Sequence, residues 1–143
     1  MSALVLVHVL AVGVWLGCLA TEIVFEKAAA GDEALRPFLS RLHDRVDRFV
    51  EGPAFVVTAA SGLALWAGTA TTVLLAVKIA VAVATILLNA WCVRIVFDRD
   101  RAAREGRWAD WARIDHLQHK VGGGVAIGLV VATGLGGLRA AGW

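Results

Sequence analysis

The chain has 143 residues, 59% of them hydrophobic and 18% charged, with a mean hydropathy of +0.71. That balance excludes an ordinary soluble domain, a disordered chain and a nucleic-acid-binding protein, and the length admits a single domain. The net charge of +2 says little, but all twelve Asp and Glu and twelve of the fourteen Lys and Arg fall in 22–51 and 94–120, leaving only Lys78 and Arg139 elsewhere.

Segment 3–22 is the first of four apolar stretches. No basic residue precedes it, and Trp15 in Trp15-Leu16-Gly17-Cys18 spoils a lipoprotein signal, so it is expected to be a permanent helix. Segments 49–67, 72–97 and 121–138 follow. A helix of about 20 residues crosses a hydrocarbon core of about 30 Å. The segments lack period-2 alternation, so helices are expected over a barrel. The expected fold is an all-α, integral membrane, antiparallel four-helix bundle, one domain over 1–143, with helices at about 3–28, 40–67, 72–97 and 112–139. Cys18 and Cys92 lie inside apolar segments and suggest neither a disulfide framework nor a zinc motif.

Basic residues mark the cytoplasmic side of a membrane protein. They gather after the first helix and after the third, which predicts both long loops in the cytoplasm, both termini on the other side, and a bacterial inner membrane as the location. The turn Gly68-Thr69-Ala70-Thr71 is short and uncharged, pairing the second and third helices. The connection 98–112 is charged and partly helical in this reading, with Trp108 and Trp111 resting at the interface.

Ligand-type residues collect at the cytoplasmic end. Glu22 and Glu26 share a stripe with Trp15 on the first helix. If the second helix begins near Ser40, His43 and Asp47 lie one turn apart, in line with Ala54, Thr58 and Ser61, while Arg41, Arg45 and Arg48 face away. Glu51 lies about 40° off Asp47. On the fourth helix Asp115 and His119 are aligned with Gly122 and Ala126, with His116 about 60° to one side. The small residues mark a close helix contact. Carboxylates and imidazoles on facing helices build metal centres in bundle cores. Glu22, Glu26, His43, Asp47, Glu51, Asp115, His116 and His119 are therefore the candidate ligands for one or two divalent transition ions. Mixed N and O donors suit Fe, Mn or Zn better than Cu(I), which favours sulfur. The same glutamates could instead pair with Arg41 or Arg45 in the headgroup region. The function predicted is that of a membrane metalloprotein, with an oxidoreductase or hydrolase as its enzymatic form. The bilayer, a lipid-soluble small molecule and a second copy docked on the fourth helix are its expected partners.

His8 and Lys78 are the only ionisable residues deep in the other half. His8 with Trp15-Leu16-Gly17, Gly52-Pro53-Ala54 with Thr58 and Gly62-Leu63, and Lys78-Ile79 together resemble the HemJ-type membrane protoporphyrinogen oxidases and the copper-resistance D (CopD) membrane domains. The resemblance covers the first three helices. It implies the scaffold, and for His8 and Lys78 a role in binding haem b and oxidising a porphyrinogen, with copper transport as the CopD counterpart. Asn89 stands where a further His of that pattern is expected, and the His43/Asp47 and Asp115/His119 pairs lie outside it. That combination predicts a shared scaffold carrying a different site.

Overall fold

A computed structural model describes residues 2–142. These residues form α1 (Ala3–Ala28), a short 3-10 turn (Glu33–Leu35), α2 (Arg36–Val46), a π turn (Asp47–Glu51), α3 (Gly52–Ala67), α4 (Val73–Arg104) and α5 (Trp108–Ala140). There is no strand among the described residues. Four helical rods are long and apolar enough to cross a membrane: α1, Glu33–Ala67 taken as one rod, α4 and α5. Their outward faces carry Leu10, Val24, Val56, Leu63, Leu87 and Ile127, all well exposed. Apolar surface of that extent needs a lipid environment or a partner to cover it. The inward faces carry much of the polarity, including Asp47, Glu51, Asn89 and Arg99.

Local chemistry sets the helix ends. Ser2 caps α1 by accepting the Val5 N–H at 3.3 Å. Lys27 sits in the last turn, where a cation complements the helix dipole. Gly31, at φ +91°, turns the chain, and Asp32 accepts the Ala34 N–H at 2.9 Å to open the 3-10 turn. Pro37 occupies the first turn of α2, where its missing N–H costs nothing. The helix expected to begin near Ser40 therefore begins at Arg36, and His43 lies well inside it.

The third expected helix ended at 97 and the fourth began at 112. Instead α4 runs to Arg104 and α5 starts at Trp108, so the charged connection shrinks to a turn around Gly106, at φ +67°. The segment is helical because its charges alternate at helical spacing: Arg94 pairs with Asp98, and Arg104 with Asp100. Trp111, expected at the interface, is buried and donates its indole N–H to Ser40 Oγ at 2.8 Å. Trp108 stays exposed.

Helix α5 packs most closely on α4, and α1 on α3. A methyl group on Gly124 would lie 2.8 Å from Leu88 Cδ2, and one on Gly128 would run into Thr85. These two glycines, four apart, let the α4 and α5 backbones approach. The close contact expected from Gly122 and Ala126 is thus made one face round, and the buried stripe of α5 is Trp111, Gln118, Val121, Val125 and Leu129. Mid-bundle, Trp15, Leu19, Ala54, Val125 and Leu129 form an apolar layer, with Trp15 edge-on to Phe55 at 5.4 Å.

Candidate metal centre

On α1 the buried series Ala11, Trp15, Leu19 continues at helical spacing into Glu22 and Glu26. The second rod brings Ser40 and His43 from α2, then Asp47 and Glu51 from the π turn, all buried. Pro53 explains that turn. It lacks an N–H, and its ring would crowd the carbonyl four residues back, so the helix widens by one residue. The Gly52 N–H then reaches back to Asp47 O. The wider turn keeps Asp47, Glu51, Ala54, Thr58 and Ser61 on the inward side.

Two groups of ligand-type atoms result. In the first, one carboxylate oxygen each from Glu22, Asp47 and Glu51 lie within 4.8 Å of one another. In the second, Glu26, Asp115 and His119 meet the same limit. His43 stands between them, with Nδ1 4.0 Å from Glu22 Oε1 and Nε2 3.1 Å from Glu26 Oε1. Arg99 Nη1 contacts Glu26 Oε1 at 2.8 Å and Asp115 Oδ1 at 2.6 Å. His119 has Nδ1 at 2.8 Å from its own helix carbonyl, Asp115 O, and Nε2 4.0 Å from Glu26 Oε2.

Like charges about 4 Å apart repel by on the order of 4 kcal/mol at an effective dielectric near 20. Three carboxylates held this closely require protons or a cation. No Lys or Arg among the described residues forms an ion pair with Glu22, Asp47 or Glu51. Glu22 Oε1, Glu51 Oε2 and His43 Nε2 are buried without a hydrogen-bond partner. Leaving such atoms unpaired costs several kcal/mol unless something else binds them.

Gln118 governs His43. Its Nε2 lies 3.2 Å from His43 Nδ1. With the amide nitrogen donating there, the imidazole N–H is on Nε2 and faces Glu26. With the amide turned over, its oxygen accepts from Nδ1–H and Nε2 presents a lone pair. One side chain thus decides which nitrogen of His43 carries the proton: Nδ1, on the Glu22 side, is the atom Gln118 contacts, and Nε2 faces Glu26. Leu19, Ile23, Val93, Val96, Gly122 and Gly123 help wall a cavity of about 330 Å³ that reaches both groups, and Lys27 also lines it. Its size falls in the range of small-molecule sites.

Seven of the eight candidate ligands meet in these groups or between them. His116 does not: it is exposed and belongs to neither. His119 is half-exposed, because Gln118 takes the inward position on α5. Arg41 and Arg45 are exposed, and the cation that meets Glu26 is Arg99. At the opposite end His8 Nδ1 lies 2.9 Å from Ser61 Oγ. Methyls added at Gly62 and Gly136 would come within 3.2 Å of His8 Cε1 and Lys78 Nζ.

Arg99 and Gln118 were missed as parts of the site. The signal for Arg99 was present: Thr85, Asn89, Cys92, Val96 and Arg99 recur at three- and four-residue steps, one stripe of a single helix once α4 runs past 97. Gln118 carried no comparable mark.

No family model matches the chain, and no curated protein or solved structure matches it. The comparisons give no link to the HemJ-type or CopD scaffold.

Proposed function

We propose that the protein is an integral membrane metalloprotein that binds a divalent transition ion among Glu22, Asp47 and Glu51, with the His43 imidazole beside them. The observation that carries this reading is the convergence of buried, unpartnered ligand atoms on three carboxylates that have no Lys or Arg partner among the described residues. Oxygen-rich donors with one imidazole favour iron, manganese or zinc. Such an ion supplies Lewis acidity, and iron or manganese adds one-electron chemistry. The chain's own contributions are distinct from it. Gln118 orients His43, while Leu19, Ile23, Val93 and Val96 keep the cavity wall apolar and restrict water. A lipid-soluble small molecule is the ligand class such a wall suits, with oxidation or hydrolysis as the reaction classes.

In the same reading the bundle is antiparallel, with both termini outside the cytoplasm and the metal at the cytoplasmic end of a bacterial inner membrane. The basic residues of 27–48 and 94–120 support that orientation. Two copies would associate through α5, where methyls added at Gly123, Gly134 or Gly137 would meet nothing within 4 Å.

The test is elemental analysis of detergent-purified protein after loading with Fe(II), Mn(II) or Zn(II) separately, for wild type and for Glu51→Gln. Bound metal in wild type that is lost in the variant supports the reading, and a metal-free wild type refutes it. A second reading, haem b at His8, is favoured by one contact: Ser61 holds Nδ1 and leaves Nε2 to ligate. A Soret band that disappears in His8→Ala would establish it.

A further inference from the structure

One group holds three carboxylates and the other two carboxylates and an imidazole, and among the described residues only the second has an Arg or Lys paired with it. Arg99 Nη1 sits between Glu26 Oε1 and Asp115 Oδ1, at 2.8 and 2.6 Å, where a metal ion shared by those carboxylates would have to lie. The side chain is wholly buried. Its guanidinium carbon is 5.7 Å from the Trp111 ring centroid. Trp111 is fixed in turn by Ser40 and stacked on its own account by Arg36 at 5.2 Å. The guanidinium is therefore packed in place rather than tethered at the end of a free side chain.

We propose that Arg99 is the resident cation of the Glu26/Asp115 half, so that the centre takes a single divalent ion, on the Glu22/Asp47/Glu51 half. This rests on the metal-binding reading above and specifies its stoichiometry. Charge balance agrees with it. Two carboxylates around one guanidinium leave one negative charge, and three carboxylates around one divalent ion leave the same. His43 touches both halves, 3.1 Å from Glu26 and 4.0 Å from Glu22, and the imidazole carries the contact between them. A second divalent ion beside Arg99 would face a fixed positive charge already in contact with the same two carboxylates, which disfavours it. Removing that charge vacates a group with the makings of a site: Glu26, Asp115 and His119, whose ligand atoms lie within 4.8 Å.

The experiment is Mn(II) binding to the full chain in detergent, by equilibrium dialysis with elemental counting, for wild type and Arg99→Gln. Wild type is expected to bind about one equivalent and the variant about two, since a vacated carboxylate site gains a cation when the competing charge goes. Two equivalents in wild type, or one in the variant, would overturn the proposal and leave the metal-binding reading standing. No binding by wild type would overturn both. Because loss of a buried guanidinium can prevent folding, Asp115→Asn is the second variant. It is expected to keep the single ion with its affinity changed less than about threefold, and loss of that ion would make Asp115 a ligand and sink the proposal. Glu22→Gln must strip the ion in the same assay, and an ion retained there would place it elsewhere.

Discussion

Gly52 lies directly over the main-chain oxygen of Asp47: a methyl group on its α-carbon would approach that oxygen to 2.6 Å. The contact exists because the π turn folds the Gly52 N–H back onto the same carbonyl. Nothing larger than hydrogen fits without moving Asp47 or its neighbours.

Gly52→Ala should therefore act on stability and on metal binding together. Overpacking at a close backbone contact costs about 1–3 kcal/mol, and the shift falls on the two carboxylates that the turn positions. Thermal unfolding in detergent should show a lower midpoint, and metal content should fall in parallel. A destabilised variant that keeps its metal unchanged would separate the turn from the site.

Gln118→Leu tests the orientation of His43 without removing any proposed ligand. Gln118 holds the imidazole that stands beside the carboxylates, and loss of such an outer partner lowers metal affinity by about 10–100-fold. Competition against a chelator of known affinity should show that loss with the helical circular dichroism spectrum unaltered. Gln118→Glu, which can accept from Nδ1–H, should recover part of the affinity.

The α4 and α5 contact gives a prediction independent of metal. Gly128→Ala pushes a methyl into Thr85, whereas Gly123→Ala meets nothing within 4 Å. The first should destabilise by about 1–3 kcal/mol and the second by less than about 1 kcal/mol. Equal effects in a detergent unfolding series would contradict the packing described for Gly124 and Gly128.

Trp111→Phe removes one buried hydrogen bond to Ser40 while keeping an aromatic ring. Ser40 Oγ still donates to Arg36 O at 3.0 Å, so the expected cost is about 1 kcal/mol. A much larger loss would mean that the indole also fixes Arg99, whose guanidinium carbon lies 5.7 Å from the ring.

The apolar rods were legible in the sequence because lipid imposes a length and a composition on each of them, and the four spans fall where hydropathy puts them. Glu22 and Glu26, continuing the stripe of Trp15, and His43 one turn before Asp47 were legible from periodicity alone. The ends of α4 and α5 were not, because a charged run such as Asp98-Arg99-Asp100-Arg101 reads equally as an interface loop until its ion pairs at helical spacing are seen. That misreading hid Arg99, the buried cation between Glu26 and Asp115. The rotation of α5 was hidden for another reason. Several glycine pairs at four-residue spacing compete for the helix contact, and only the fit of Gly124 and Gly128 against Leu88 and Thr85 chooses among them.

The layer of Trp15, Leu19, Ala54, Val125 and Leu129 lies along the helices between the carboxylates and the His8, Ser61 and Lys78 end. Trp15 is only 1% exposed, and its ring fills the middle of the bundle against Phe55. A membrane that houses this many ionisable groups needs an insulator if it is to hold a voltage, and this layer has the place and composition of one. Trp15→Ala would remove the largest side chain of that layer and leave Leu19, Ala54, Val125 and Leu129 to separate the two polar ends.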